Sequence, residues 1–313
     1  MLHRTHMNAL AAGLLFAAGT SFLCDSAIGA DRYQKPADEI CVEGGIESYY
    51  TQYNFNRTRE EGTIPDGSGY YLFSLPLTLE ARHYLSDAIY LAPYARASIT
   101  YDFADKPLNR SYWNNNQVFA GGLKLTTQRS FMNKSDEYVG GISASLFSEY
   151  EVMTSSFDRT KDRVPAGIER QNVKSGLSFW FSTQKPLNPK FRVWTESWGE
   201  LAWHTTAFSD EGEDDFLIGS LSSKIGTGVN IAHASFEPYV TVDLVNDFLD
   251  REWNRSSWFN NVQYGPGARL VLDQYLPGNV SIYMEYLFVS YFDTPQDQDH
   301  DIKAGISCWI PIF

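Results

Sequence analysis

Residues whose type and spacing suit them to chemistry fall into four sets. The largest is a series of charges at alternate positions within otherwise apolar-alternating segments: Glu80, Arg82, Arg96, Asp102, Lys124, Arg192, Glu196, Glu200, Lys224, Asp243, Arg269, Asp273 and Glu285. Seven are acids and six are bases. If they share an internal wall, they either solvate and brace that interior through ion-pair networks crossing it, or line a narrow pore for small hydrophilic solutes. Signs this evenly mixed do not make a single-sign selectivity ring.

The second set is a repeated element carrying Arg110, Trp113 and Asn115, and again Arg255, Trp258 and Asn260. A Trp with an Arg and amides nearby can stack on and hydrogen-bond to a sugar. The same residues can instead fold their loop and place the aromatic at a membrane interface. The third set is acidic: Asp210-Glu211-Gly212-Glu213-Asp214-Asp215 and Asp297-Gln298-Asp299-His300-Asp301. Neither run has calcium-loop spacing, so the expectation is solvated surface charge that bridges cations to lipopolysaccharide, with no resident metal or cofactor. The fourth is His83 and His204, each amid Ser and Asp. No nucleophile-elbow motif accompanies them, so no catalytic residue is assigned. An envelope hydrolase is the third-ranked reading, and His83 is expected to be interfacial.

The elements that must position these residues alternate with period two, as strands do. From Tyr71 the odd positions read Tyr, Phe, Leu, Leu, Leu through Leu79, while Ser74, Thr78, Glu80 and Arg82 occupy even ones. From Ile89 to Phe103 the odd positions are again apolar or aromatic, against Arg96, Ser98, Thr100 and Asp102. Such runs exceed the usual soluble strand of about 5–6 residues and suit tilted strands crossing an outer membrane. Twelve segments follow: 42–55, 70–84, 88–103, 117–130, 137–156, 173–185, 191–208, 216–231, 234–248, 261–275, 279–293 and 302–313. Short connections alternate with long charged ones, the pattern of a bacterial barrel with short periplasmic turns and long outer loops.

An internal repeat gives the same count. Pro93-Tyr94, Asp102-Phe103, Asp105, Asn109-Arg110-Ser111, Trp113 and Asn115-Asn116 recur 145 positions later as Pro238-Tyr239, Asp247-Phe248, Asp250, Asn254-Arg255-Ser256, Trp258 and Asn260-Asn261. Gly122, Lys124 and Leu125 continue the match to Gly267, Arg269 and Leu270. Two six-strand units are predicted.

Residues 1–30 read as a secretory signal: Arg4 and two histidines, an apolar stretch from Ala9 to Leu23, and Gly29-Ala30 before Asp31. Residues 31–313 are then one all-β, closed antiparallel transmembrane barrel. A net charge of −13 argues against nucleic acid, and a mean hydropathy of −0.32 indicates no helical membrane protein but is compatible with a barrel. The exported compartment permits disulfides. Cys41 and Cys308 lie near the two ends of the mature chain, where first and last strands meet, so either a seam-stapling bridge or two unpaired thiols is expected.

Several passages resemble the C-terminal barrel of the bacteriophage N4 adsorption protein A family, related in layout to exopolysaccharide-export outer-membrane barrels. They are Trp258 with Asn260-Asn261 before Tyr264-Gly265-Pro266-Gly267-Ala268-Arg269, then Glu285-Tyr286-Leu287 with Tyr291-Phe292, then Asp301 through Ser307 with Trp309. The resemblance covers mainly the last third. It implies a bacterial outer-membrane barrel tied to polysaccharide export or phage adsorption. Its partners would be outer-membrane lipid and lipopolysaccharide, and beyond them a polysaccharide or an envelope export complex. The functional expectation is a channel or accessory barrel for a hydrophilic solute or exopolysaccharide. The alternative is a non-conducting surface receptor that binds glycan, phage or partner through its outer loops.

Overall fold

A strand with one apolar and one polar face is stable only where both faces find their solvent, and an unpaired edge must be covered or closed. The computed structural model resolves both demands by closure. It describes residues 36–51, 70–103, 115–133, 137–154, 169–205, 215–231, 234–249, 260–272, 279–292 and 298–311. Twelve strands run in chain order: β1 (Glu39–Thr51), β2 (Tyr70–Tyr84), β3 (Ile89–Asp102), β4 (Asn116–Met132), β5 (Tyr138–Thr154), β6 (Glu169–Asn188), β7 (Phe191–His204), β8 (Phe216–Ile231), β9 (Ala234–Asp247), β10 (Asn260–Val271), β11 (Asn279–Tyr291) and β12 (Gln298–Pro311). Each pairs antiparallel with its sequence neighbours, and β1 closes on β12.

The side-chain alternation sorts the two faces. Outward positions carry exposed Leu75, Leu77 and Leu79 on β2, Leu123 and Leu125 on β4, Leu146 on β5, Leu177 and Phe179 on β6, and Ile282 and Met284 on β11. Inward positions carry the charges. Strands such as β3, with 14 residues, extend roughly 45 Å, enough when tilted to cross an apolar band about 25 Å tall.

Side-chain oxygens hold the short turns. Ser86 Oγ accepts the N–H groups of Ala88 and Ile89 at 3.3 and 3.1 Å, and Asn188 Oδ1 accepts those of Lys190 and Phe191 at 2.9 and 3.1 Å. The β4–β5 register shifts at Phe131/Met132, across from Gly140, whose φ of 143° and close approach to the Ser182 carbonyl exclude a side chain.

The register corrects the seam staple. Cys41 lies opposite Glu80 of β2, whereas Cys308 lies opposite Ile46 of β1. From 41 to 46 is five positions, roughly 17 Å along a strand, against a disulfide limit of about 7 Å between Cα atoms. The odd offset also turns the thiols to opposite faces, Cys41 inward and Cys308 outward. Both are unpaired.

Strand limits differ from the sequence reading mainly at β6. It runs from Glu169 to Asn188 because β5 pairs with it as far as Thr154↔Glu169, across polar residues that carry no alternation.

Candidate functional site in the charged lumen

Twelve of the thirteen charges singled out in the sequence occupy inward positions of their strands; Asp273 lies outside the described residues. The expectation of networks crossing the lumen is corrected. Every ion pair among the described residues joins strands no more than three places apart around the ring. In a twelve-strand barrel the opposite wall is six places away. The charges therefore run along the wall.

Four belts result. On β1, β2 and β4, Glu80 holds Arg82 at 3.0 Å and also pairs with Lys124, while Arg82 reaches Glu39 at 3.2 Å and Glu43 at 3.5 Å. Between β3 and β7, Arg96 Nη2 donates to Glu149 at 3.0 Å and to Glu151. Lys174 bridges Glu149 at 3.9 Å to Glu200 at 2.8 Å. On β7, β9 and β10, the Arg269 guanidinium donates to both carboxylate oxygens of Glu196 and, through Nε, to Glu237 at 2.8 Å. It also lies 4.1 Å over the Trp194 ring, and Arg192 pairs with Glu237 as well. On β8, β11, β12 and β1, Glu285 pairs with Lys224 at 3.0 Å, and Lys303 sits 3.8 Å from Glu47.

Each belt contains a buried carboxylate with a less buried cation over it, while its outer carboxylates, such as Glu39, Glu196, Glu200 and Glu47, are more exposed than the bases they meet. The side chains of Glu149, Glu237 and Glu285 are 4%, 2% and 3% exposed, against 28%, 21% and 24% for Arg96, Arg269 and Lys224. The central carboxylates lie against the wall, and the longer bases reach down to them from the solvent side. That ordering follows from length: a Glu near the backbone is covered by neighbours, while an Arg or Lys keeps its head toward water.

Tyrosines tie the second and fourth belts. The Tyr94 hydroxyl donates to Glu149 at 2.9 Å and the Tyr239 hydroxyl to Glu285 at 2.7 Å. Each tyrosine crosses an intervening glycine, Gly122 or Gly267, that lies opposite both partners in register. A Cβ on Gly267 would come within 2.6 Å of the Tyr239 ring.

Sequence reading missed Glu43, Glu47, Glu149, Glu151, Lys174, Glu237 and Lys303. In Ser148-Glu149-Tyr150-Glu151-Val152 the parity signal was present, with Tyr150 and Val152 outward. In β1 and β12, glycines and small residues blur it. The two histidines lie apart. His83 faces outward at the short-turn end, 2.7 Å from Asp38, and His204 faces inward at the long-loop end, 3.0 Å from Asn172.

Of the loop candidates, Arg110, Trp113, Arg255 and Trp258 lie outside the described residues. Asn115 and Asn260 are buried, and each accepts the backbone N–H thirteen residues upstream, that of Asp102 or Asp247, at 3.3 Å. Within the acidic runs, Asp215 accepts the Trp203 indole N–H at 2.9 Å and Asp301 accepts the Thr51 hydroxyl; residues 210–214 and 297 lie outside the described set.

No protein-family model matches this sequence, and no curated protein does. Among solved structures, the β domain of the Bordetella autotransporter BrkA aligns at TM-score 0.39 and 11% identity, covering 86% of this chain and 98% of that one. An outer membrane channel from Pseudomonas putida F1 aligns at TM-score 0.38 and 12% identity, covering 90% and 100%. LpxR from Salmonella typhimurium aligns at 0.37 and 11%, covering 84% and 99%.

Proposed function

We propose that this chain is a bacterial outer-membrane barrel whose lumen provides a path for a hydrophilic solute or a polysaccharide chain. One observation carries the reading: the interior charges are paired along the wall, within three strands of one another, rather than across the axis. Ion pairs across the lumen would plug it. Wall-bound pairs leave a polar, near-neutral surface that a solute can pass without meeting a single-sign barrier. The apolar exterior fits hydrocarbon, where each misplaced Lys or Arg would cost about 2–4 kcal/mol at mid-membrane. The resemblance to polysaccharide-export barrels favours a polymer as cargo.

The test is conductance of residues 31–313 refolded into planar bilayers, with heat-modifiable gel mobility as the folding control. Steady single-channel current is the expected result. A folded barrel that passes no current overturns the reading. It would favour a surface receptor that binds glycan, phage or partner through its outer loops. One feature supports that second reading: inward-facing Leu287, Val289 and Tyr291, toward the long-loop end, are 2%, 0% and 2% exposed.

A further inference from the structure

Large aromatic side chains on the inner wall are of two kinds. Trp194, Tyr239 and Tyr283 are buried and stacked by Arg269, Lys224 or Lys303. Trp180, Trp198 and Trp309 also sit at inward positions, yet they are 41%, 51% and 42% exposed. Among the described residues, no cation stacks on any of them. An indole left wet on a polar wall forgoes the burial its large apolar area would otherwise gain.

Their placement is not scattered. Trp180 and Trp198 are directly opposite in the β6–β7 register. Trp309 of β12 is six strands from β6, on the opposite wall. It is also at the same height: Lys174 and Lys303 occupy matching sites opposite Glu149 and Glu285, and Trp180 and Trp309 each follow by six residues. Trp198 stands seven residues from Phe191 and six from His204 on β7, so its pair with Trp180 lies near the middle of the wall and not at either rim. Trp309 lies over Gly45 of β1, where a Cβ would come within 2.5 Å of its ring. Trp198 occupies the position matching Gly45, so Trp180 leans the other way, against Gly141 of β5.

The surroundings narrow the ligand. Trp198 lies between Glu196 and Glu200, but Arg269 and Lys174 already neutralise those carboxylates, so an organic cation gains little there. Directly opposite the two indoles stand serines, Ser143 beside Trp180 and Ser222 beside Trp198. A ligand with a flat C–H face and a hydroxyl rim matches indole faces set among hydroxyls. That is a pyranose.

We infer that Trp180 and Trp198 on one wall and Trp309 on the other form an aromatic collar within the lumen that stacks on the sugar rings of a linear glycan. This rests on the lumen being the path for cargo, and it names the cargo's class and one subsite.

Maltohexaose and cellohexaose serve as probes on the refolded barrel. Oxidation of tryptophan by N-bromosuccinimide, mapped by peptide mass, reads the wild-type protein directly. Either sugar should slow oxidation of Trp180, Trp198 and Trp309 several-fold and leave the outward-facing Trp203 unchanged. Fluorescence titration should show apparent affinity falling at least tenfold in W180A/W198A, a smaller loss in W180F/W198F, and none in W203A. Conductance in the same preparation separates this inference from the channel reading. Current with no sugar protection overturns the collar and leaves the channel. Protection without current keeps the collar as a binding site and overturns the channel. Protection of Trp203 equal to that of the other three overturns the collar in either case.

Discussion

The two halves of the barrel, β1–β6 and β7–β12, share a scaffold but not a charge pattern. Tyr94, Gly122, Glu149 and Lys174 of the first half, with Glu200 on the adjoining β7, correspond in register to Tyr239, Gly267, Glu285 and Lys303 of the second, with Glu47 on the adjoining β1. Each set makes the same tyrosine-to-glutamate hydrogen bond and the same lysine link to the next half. Even the pair beside the lysine corresponds, Asn172 with His204 and Asp301 with Thr51. The halves part at the central cation. Arg96 and Glu151 stand where the second half has Thr241 and Leu287, and Lys224 stands where the first half has Thr78. The lesson is that the buried glutamate and its tyrosine belong to the repeat, whereas the cation that neutralises the glutamate was placed separately in each half.

The largest effect should come from removing that glutamate. Glu285→Ala removes the carboxylate that pairs with Lys224, leaving Lys224 and Lys303 with only Asp243 and Glu47 nearby, and should cost about 3 kcal/mol. Glu149→Ala leaves Arg96 with Glu151, 5% exposed and already bonded to it, and should cost roughly half as much. Urea unfolding midpoints in detergent micelles read both. Equal losses would mean that Glu151 does not compensate, and the halves would then be energetically alike despite their different charges.

A sharper comparison converts one half into the other. Arg96→Thr alone leaves two buried glutamates facing each other and should cost about 2 kcal/mol. Arg96→Thr with Glu151→Leu reproduces the residues at the matching sites of the second half and should recover most of that loss, a coupling of about 1–2 kcal/mol in a double-mutant cycle. A purely additive cycle would break the correspondence.

Much of this was legible in the sequence. Period-two alternation located all twelve strands, and the repeat at 145 positions matched β3 to β9. The inward parity of most charges followed from the same alternation. What stayed hidden depends on register between strands, which alternation within a strand does not encode. The Cys41–Cys308 idea failed there, because seam strands can neighbour each other with any offset. Glu149 and Glu151 were legible in the same alternation, with Tyr150 and Val152 on the apolar parity, and were overlooked. Whether pairs run along the wall or across it is a property of the closed ring, visible only once twelve registers are fixed together.

The tyrosine hydroxyls should contribute equally to the two halves. Tyr94→Phe and Tyr239→Phe each delete one hydrogen bond to a buried carboxylate and keep the ring over its glycine. Each should cost about 1.5 kcal/mol, and the two values should agree within about 0.5 kcal/mol if the clamp is a conserved part of the repeat. A much larger loss at Tyr239 would show that Lys224, 5.1 Å from that ring, depends on the hydroxyl for its own position.

The smallest expected effect lies where the strands enter the long loops. Asn115 and Asn260 hold the N–H groups of Asp102 and Asp247 at identical distances of 3.3 Å. These are long bonds near the rim, so Asn115→Ala and Asn260→Ala should each cost about 0.5–1 kcal/mol. Amide exchange is the better probe, because a rim bond governs local opening more than global unfolding. In each variant the Asp102 or Asp247 amide should exchange severalfold faster, while amides of the opposite half stay unchanged. Faster exchange in both halves from one substitution would mean that the rims open together. The barrel would then behave as a single cooperative ring, not as two copies of one six-strand unit.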